Sequence, residues 1–202
     1  MSYNQIPTQE IIQATMHALE ANGFNAVLVD NLAEAKEKVM ELIPEGAEVM
    51  QMTSVTLDQA GITAEINQSG RFNAVKPKLF AMDRETQGRE MAKLGAAPDY
   101  SVGSVHAITQ DGKVLIASLT GSQLPGYVYG SEQVIWVVGV NKIVNNLDEG
   151  MKRIYEYVLP QESERAHKAY GVPGSAVNKL LIMNAEKPGR VTVVLVNETA
   201  GF

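Results

Sequence analysis

Four short stretches carry residue types that can do chemistry. Thr53, Ser54 and Thr56 follow an apolar run that ends at Met52 and lead into a helical pattern. Hydroxyls and backbone N–H groups at a strand-to-helix junction face one point and favour an anion there. Thr120, Gly121 and Ser122 form a second loop, with a permissive glycine between two hydroxyls. That composition also turns N–H and O–H groups toward an anion. Asn141 and Lys142 follow the run Val134–Gly139, and Glu198 closely follows the run Val191–Val196. Open α/β sheets place ligands at the C-terminal ends of their strands. A lysine at such a position neutralises substrate charge. Glu198 is the carboxylate best placed for proton transfer next to a carbonyl group. The bland alternatives are capping for Thr53, Ser54 and Thr56, and a plain turn for residues 120–123.

Composition removes several other chemistries. The 202 residues include no cysteine, so disulfides, thiolate catalysis, Cys-ligated zinc and Cys-ligated iron–sulfur clusters are excluded for this chain. No GxxxxGK[ST] or GxGxxG pattern is present in the glycine-hydroxyl loops. His106 has no second histidine at metal-ligand spacing, and no metal site is expected. It reads as a packed, hydrogen-bonded core histidine, with a site role as the alternative, and His17 as a helix-surface or core residue. The net charge of −6 argues against a nucleic-acid surface. The first 30 residues show no basic segment followed by an apolar core, and no apolar run has membrane-spanning length. The expectation is a cytoplasmic protein with no membrane contact.

The elements that must position these residues follow from periodicity. Residues 1–7 read as a lead-in, and Thr8 caps a helix that Gly23 stops. Phe24–Val29 reads as a strand ending at Asp30, a turn or cap residue. Asn31 and Glu34 are spaced as a capping box for a helix that Pro44 and Gly46 end. Residues 47–52 form a second strand, and Thr56 with Gln59 is box-spaced for the helix after it. Residues 61–95 are polar and less regular, with a helix closing at Lys93-Leu94-Gly95 before Pro98; Arg71, Lys76, Lys78, Arg84, Arg89 and Lys93 make their second half locally basic, which reads as a solvated helix face plus loop or as a surface that receives an anionic substrate or partner.

Asp111-Gly112 lies between Val105–Gln110 and Lys113–Ser118. It predicts a two-residue hairpin with Ile108 opposite Leu115 and Ala107 opposite Ile116. Both faces of that hairpin are apolar, so helices should cover the sheet on both sides. Asn146 starts a later helix that Pro160 breaks. Val191–Val196 is apolar on both faces and reads as a central strand.

Four stretches carry a family resemblance: VGSVHAITQDG (102–112), LTGSQ (119–123), VVGVNKIVNNLDEGMKRI (137–154) and GRVTVVLVNETAGF (189–202). The chain resembles the LUD-domain family, which includes the C subunit of bacterial lactate-utilisation systems. The resemblance covers most of the chain and is weakest over residues 60–95. It implies the fold of ribose-5-phosphate isomerase and coenzyme A transferases, a three-layer α/β/α sandwich. The related isomerases bind sugar phosphate at a strand-to-helix loop comparable to residues 53–56. Many relatives carry a cysteine-rich stretch before the last strand; here residues 169–184 contain none. Partner proteins supply the iron–sulfur electron transfer of the lactate systems.

The combined expectation is one α/β domain over residues 1–202 with a cleft at the strand C-terminal ends. The cleft binds a small anionic metabolite and is tied to lactate or other organic-acid use. Thr53, Ser54, Thr56, Thr120, Gly121, Ser122 and Asn141 are the candidate ligand contacts, with Lys142 and Glu198 as candidate catalytic groups. The rival is a non-catalytic accessory protein that docks on a redox partner or self-associates through the apolar loop Leu124–Tyr129.

Overall fold

The computed structural model describes residues 3–202; Met1 and Ser2, part of the lead-in, lie outside the described residues. Its frame is a six-stranded, all-parallel sheet in the order β1-β10-β7-β4-β2-β3. The strands are β1 (Asn25–Val29), β2 (Glu48–Gln51), β3 (Asn73–Ala74), β4 (Tyr100–Gly103), β7 (Gln133–Gly139) and β10 (Val191–Val196). All six residues of β10 are buried, because it is flanked by β1 and β7 and covered on both faces. Each fully buried valine there contributes about 1.5–3 kcal/mol of transfer free energy. The last strand is thus interior, as its composition requires, one place in from the β1 edge.

Helices α2 (Leu32–Leu42), α3 (Val55–Gln59) and α4 (Ile62–Gln68) pack through Val39, Leu57 and Ile66 on one face of the sheet, against Val49, Val137 and Val194. Asn31 caps α2 by accepting the Glu34 N–H at 3.0 Å, and the Glu34 carboxylate accepts the Asp30 N–H at 2.9 Å. The other face meets α1 (Gln9–Ala21), capped by Thr8, and the residues Ile108, Val114 and Ile116. This is the expected three-layer α/β/α arrangement, with one addition.

The addition is a second, four-stranded sheet in the order β8-β5-β6-β9. It contains β5 (Ala107–Thr109), β6 (Val114–Ser118), β8 (Ile143–Val144) and β9 (Lys179–Met183). The apolar hairpin belongs to this sheet rather than to the main one. Its outer face, with Ala107, Leu115 and Ala117, packs on Ile154, Leu147 and Met151. Two-sided burial explains why both faces read as apolar.

The hairpin register differs from the expected one by a residue. Ala107 pairs with Leu115 and Ile108 with Val114. The turn has three residues: Gly112 takes φ +78° while Asp111 does not enter the left-handed region. Gly112 N–H donates to Thr109 O at 2.8 Å, and Thr109 N–H donates to Lys113 O at 2.9 Å. This is the three-residue loop that ends in a left-handed glycine. Asn22 on the α1 terminus selects it by donating to the carbonyls of Asp111 and Gly112 at 2.9 and 3.1 Å.

Residues 61–95 are more regular than their polarity implies. After α4 and β3 come α5 (Val75–Ala81) and α6 (Arg84–Ala96). No residue of α6 is buried, so no apolar stripe marks it in the sequence. Pro160 likewise does not break its helix. α7 (Leu147–Lys152) runs into a wide π-helical segment, Arg153–Val158, and on into α8 (Leu159–Tyr170). The proline has no N–H for an ordinary i−4 bond, and the wider winding before it absorbs that loss.

Gly112 tests the turn. A Cβ there would lie 2.6 Å from the Ala18 backbone, whereas at Gly46 (φ +76°) nothing lies within 4 Å. Gly112→Ala should cost about 3 kcal/mol or more in urea unfolding, since strain and overlap add. Gly46→Ala should cost about 1–2 kcal/mol from the left-handed backbone alone. Equal losses would contradict the contact between turn and α1.

Candidate functional site

Four strand ends deliver the site. β2 ends into Thr53 and Ser54, β4 into Ser104 and His106, β7 into Asn141 and Lys142, and β10 into the segment 197–202. They border a cleft of about 1000 Å³ whose lining includes Thr56, Ser104, His106, Lys142 and Phe202. Its remaining walls come from α5, α6, the 118–127 loop, the π-helical segment with α8, and residues 172–177.

Lys142 forms the floor. It is 2% exposed. Its Nζ donates to Thr56 Oγ1 at 3.0 Å and to Ser104 Oγ at 3.1 Å. Among the described residues no carboxylate lies within 4.0 Å of that amine. Burial, with a smaller contribution from the nearby Arg153, lowers the lysine from 10.5 to about 7. Thr56 is free to accept because its own hydroxyl donates to Ala200 O at 3.3 Å. The chain's last residues cross the pair closely. A Cβ on Gly201 (φ +62°) would lie 2.3 Å from Thr56 Oγ1 and 3.3 Å from Lys142 Nζ, and one on Gly139 would lie 2.6 Å from Ala200 N.

His106 stands beside this floor. Its Nδ1 accepts the Ala117 N–H at 3.1 Å. A ring nitrogen that accepts is unprotonated, so Nε2 carries the proton in the neutral ring. Burial, then Lys142 and Arg153, lower His106 to about 3. The ring is neutral at physiological pH and offers one uncharged donor. It is both the hydrogen-bonded core histidine that the sequence suggests and a cleft residue.

Arg153 is fully buried. One Nη donates to His106 O at 2.5 Å, while Nε and the other Nη find no partner. Its guanidinium lies 5.3 Å from the centre of the Tyr157 ring. Burial lowers it to about 10.

The other expected contacts divide. Ser54, not Thr56, caps α3, accepting the Leu57 N–H at 3.5 Å. Helix α3 starts two residues earlier than box spacing implies, which puts Thr56 inside the helix and aims it at Lys142. Thr53 accepts from Lys76 Nζ at 3.0 Å, and Lys76 also donates to Gln51 at 2.9 Å. Burial lowers Lys76, against a smaller raising effect of Asp58. Thr120 and Ser122 line the cleft mouth. The Gly121 N–H is taken by Ser118 Oγ at 2.8 Å and the Ser122 N–H by Thr120 Oγ1 at 3.3 Å. That loop therefore uses its donors to hold its own turn.

Asn141 faces away from the cleft. It accepts the Ala200 N–H at 3.1 Å and donates to Gly201 O at 3.4 Å, clamping the C-terminal segment. Glu198 is not brought to the cleft either. Its carboxylate accepts the Leu32 N–H at 2.8 Å, where negative charge suits the start of α2.

Sequence reading misses Ser104 and Arg153, and it meets Lys76 only as one of six residues of a basic segment and Tyr127 only as part of an apolar loop. A serine one residue past a strand gives no signal of its own. Tyr127 is buried within the supposed interface loop, with its hydroxyl pushed up by burial. Only Val128 and Tyr129 of that stretch's second half are exposed, at 49% and 91%.

Among the described residues no cluster of three His, Asp or Glu side chains could hold a metal ion, and no helix is long and apolar enough to cross a membrane.

Lys142 makes stability depend on pH in a defined direction. The unfolded lysine holds its proton up to about 10.5, the folded one up to about 7. Between these values the unfolded chain binds more protons, so stability rises with pH. Below about 7 both states are charged and the lysine's contribution is at its least favourable. Wild type minus Lys142→Met, measured by urea unfolding at pH 7, 8 and 9, should climb by up to about 1.4 kcal/mol per pH unit. Parallel profiles would mean an ordinary lysine.

The family model described as the LUD domain matches residues 12–196. The fold is similar to the solved structure of a DUF162 family protein from Deinococcus radiodurans, with a TM-score of 0.60 and 12% sequence identity. The match covers 94% of this chain and 99% of that one. No curated protein matches.

Proposed function

The chain belongs to the LUD-domain family, and from that premise we propose that the cleft binds a small anionic metabolite over Lys142. The family name connects such a ligand with lactate or a related organic acid. One observation carries the reading: a buried ammonium whose partners are two hydroxyls and no carboxylate. Buried charges are normally paired. An incoming carboxylate or phosphate supplies the missing partner, and His106 Nε2–H and Ser104 can bond its remaining oxygens. This reading uses Thr56, Ser104, His106 and Lys142; it leaves Glu198 as a helix cap.

The test is a thermal-shift screen of the full chain against 2-hydroxy and 2-oxo acids, sugar phosphates, nucleotides and coenzyme A esters. A ligand at 100 times its Kd adds roughly 2.7 kcal/mol, a rise of about 5–10 °C at this size. Lys142→Met should abolish the shift and Ser104→Ala should reduce it. An unchanged shift in Lys142→Met, or no shift from any class, ends the reading.

The second reading, an accessory protein that docks on a redox partner or on itself, is favoured by Tyr129 and Val128. They stand exposed side by side on the π-helical turn Gly126–Gly130. An interface there predicts association that Tyr129→Ser disrupts in sedimentation while leaving ligand shifts intact.

A further inference from the structure

The cleft is cationic at its floor and apolar at its mouth. Its wall carries the partly exposed Leu79, Met91 and Leu159, backed by the buried Met52, Ile154 and Val158. Eight large apolar side chains are exposed among the described residues, and four of them, Phe80, Leu119, Tyr170 and Val172, line this one cleft. Phe80 is 81% exposed and Tyr170 62%. Exposed apolar groups gathered around a concavity mark a binding surface, unlike scattered ones. Tyr170 is held in place there, with the Arg165 guanidinium 5.5 Å from its ring centre. Arg165 is itself fixed by a two-pronged bond to Glu162, both contacts at 2.7 Å.

Volume adds an independent constraint. At about 1000 Å³ the cleft is at the upper end for small-molecule sites, which run to roughly 1,000 Å³ for drug-sized ligands. A three-carbon acid over Lys142 would leave the methionine and leucine wall and the aromatic rim in water. The unbranched thioether of Met91 suits an apolar body of variable shape.

Building on the anion-binding reading, we propose that the ligand is an amphipathic organic anion. Its carboxylate or phosphate head sits over Lys142 beside Ser104 and His106. Its alkyl or aryl body runs along the apolar wall to Phe80 and Tyr170. Lys76, which is held by Gln51 and Thr53 and has no carboxylate within 4.0 Å among the described residues, is a second polar anchor for a substituent on that body.

Calorimetric titration of the full chain with linear monocarboxylates of rising length, kept below micelle-forming concentrations, tests this. Kd should fall about fourfold per added methylene, as burial of each methylene implies, until the chain reaches the rim. The double variant Phe80→Ser/Tyr170→Ser changes exposed residues and should fold. It should remove the gain for the longest acids and leave the shortest acid unchanged. Lys142→Met should weaken short and long acids alike, with Ser104→Ala as the milder variant should the first not fold.

Affinity that stays flat with length, with short acids still bound and sensitive to Lys142, overturns the amphipathic class and leaves the anion site standing. Alcohols that bind as tightly as acids of equal length overturn the head-to-floor orientation. Binding of no acid at all removes the underlying reading. A rim that serves only to join two copies of the chain would appear as a dimer broken by the double variant, with no effect on titration, and would also overturn the proposal.

Discussion

An ammonium group buried without a carboxylate is the constraint around which the site is arranged. Removing such a group from water costs several kcal/mol even after relaxation. Lys142 recovers part of this through Thr56 and Ser104. Each hydroxyl arrives by a separate route. Ser104 follows the end of β4, while Thr56 depends on Ser54 starting α3 early enough to turn the threonine inward. Asn141 then fastens the 200–201 backbone over the pair, and two glycines allow the approach. The valine-rich interior of β7 and β10 supplies the rigid platform that can bear the cost.

Charge is partitioned to match. The protein is acidic, with a net charge of −6, yet its carboxylates are occupied away from the floor. Glu198 and Glu34 bond backbone N–H groups at the start of α2. Glu162 pairs with Arg165, and Glu186 with Arg190 at 2.6 Å. Behind the floor lies Arg153, buried and partly unpartnered, so the local field is positive inside a negative molecule. Such contrast sets the field in the cleft apart from that of the molecule as a whole.

The parts of this arrangement that sequence exposes are those with a local signature. Thr8, Asn31 and Asn146 cap the helices their spacing indicates, because a cap needs just four residues to define it. Lys142 is recognisable by its place directly after an apolar strand. The hairpin is legible as a pair of strands but not in register, since a contact from Asn22, some ninety residues earlier, decides between a two- and a three-residue turn. Its membership of a second sheet is equally hidden. Two-sided burial in a main sheet and in a sheet sandwiched against it gives the same apolar pattern. Helix α6 is legible only at its end, where Lys93-Leu94-Gly95 and Pro98 close it, because none of its residues is buried to mark an apolar stripe. Glu198 misleads for a related reason: a carboxylate past a strand end suits catalysis and helix capping alike, and only the position of Leu32 decides.

A lysine near 7 changes what an empty cleft costs. A permanently charged group at the same place would carry its full desolvation penalty whenever no ligand was present. Lys142 instead sheds its proton in part of the molecules near neutral pH, and the Ser104 hydroxyl can donate to the neutral amine as readily as accept from the charged one. On the proposed anion-binding reading, an arriving anion would favour the charged form and raise the lysine's pKa, so binding would draw a proton into the site. Arg153, lowered to about 10, stays charged throughout and supplies a constant field. On that reading the two buried cations differ in role, Arg153 setting the sign of the site while Lys142 adjusts its charge to occupancy.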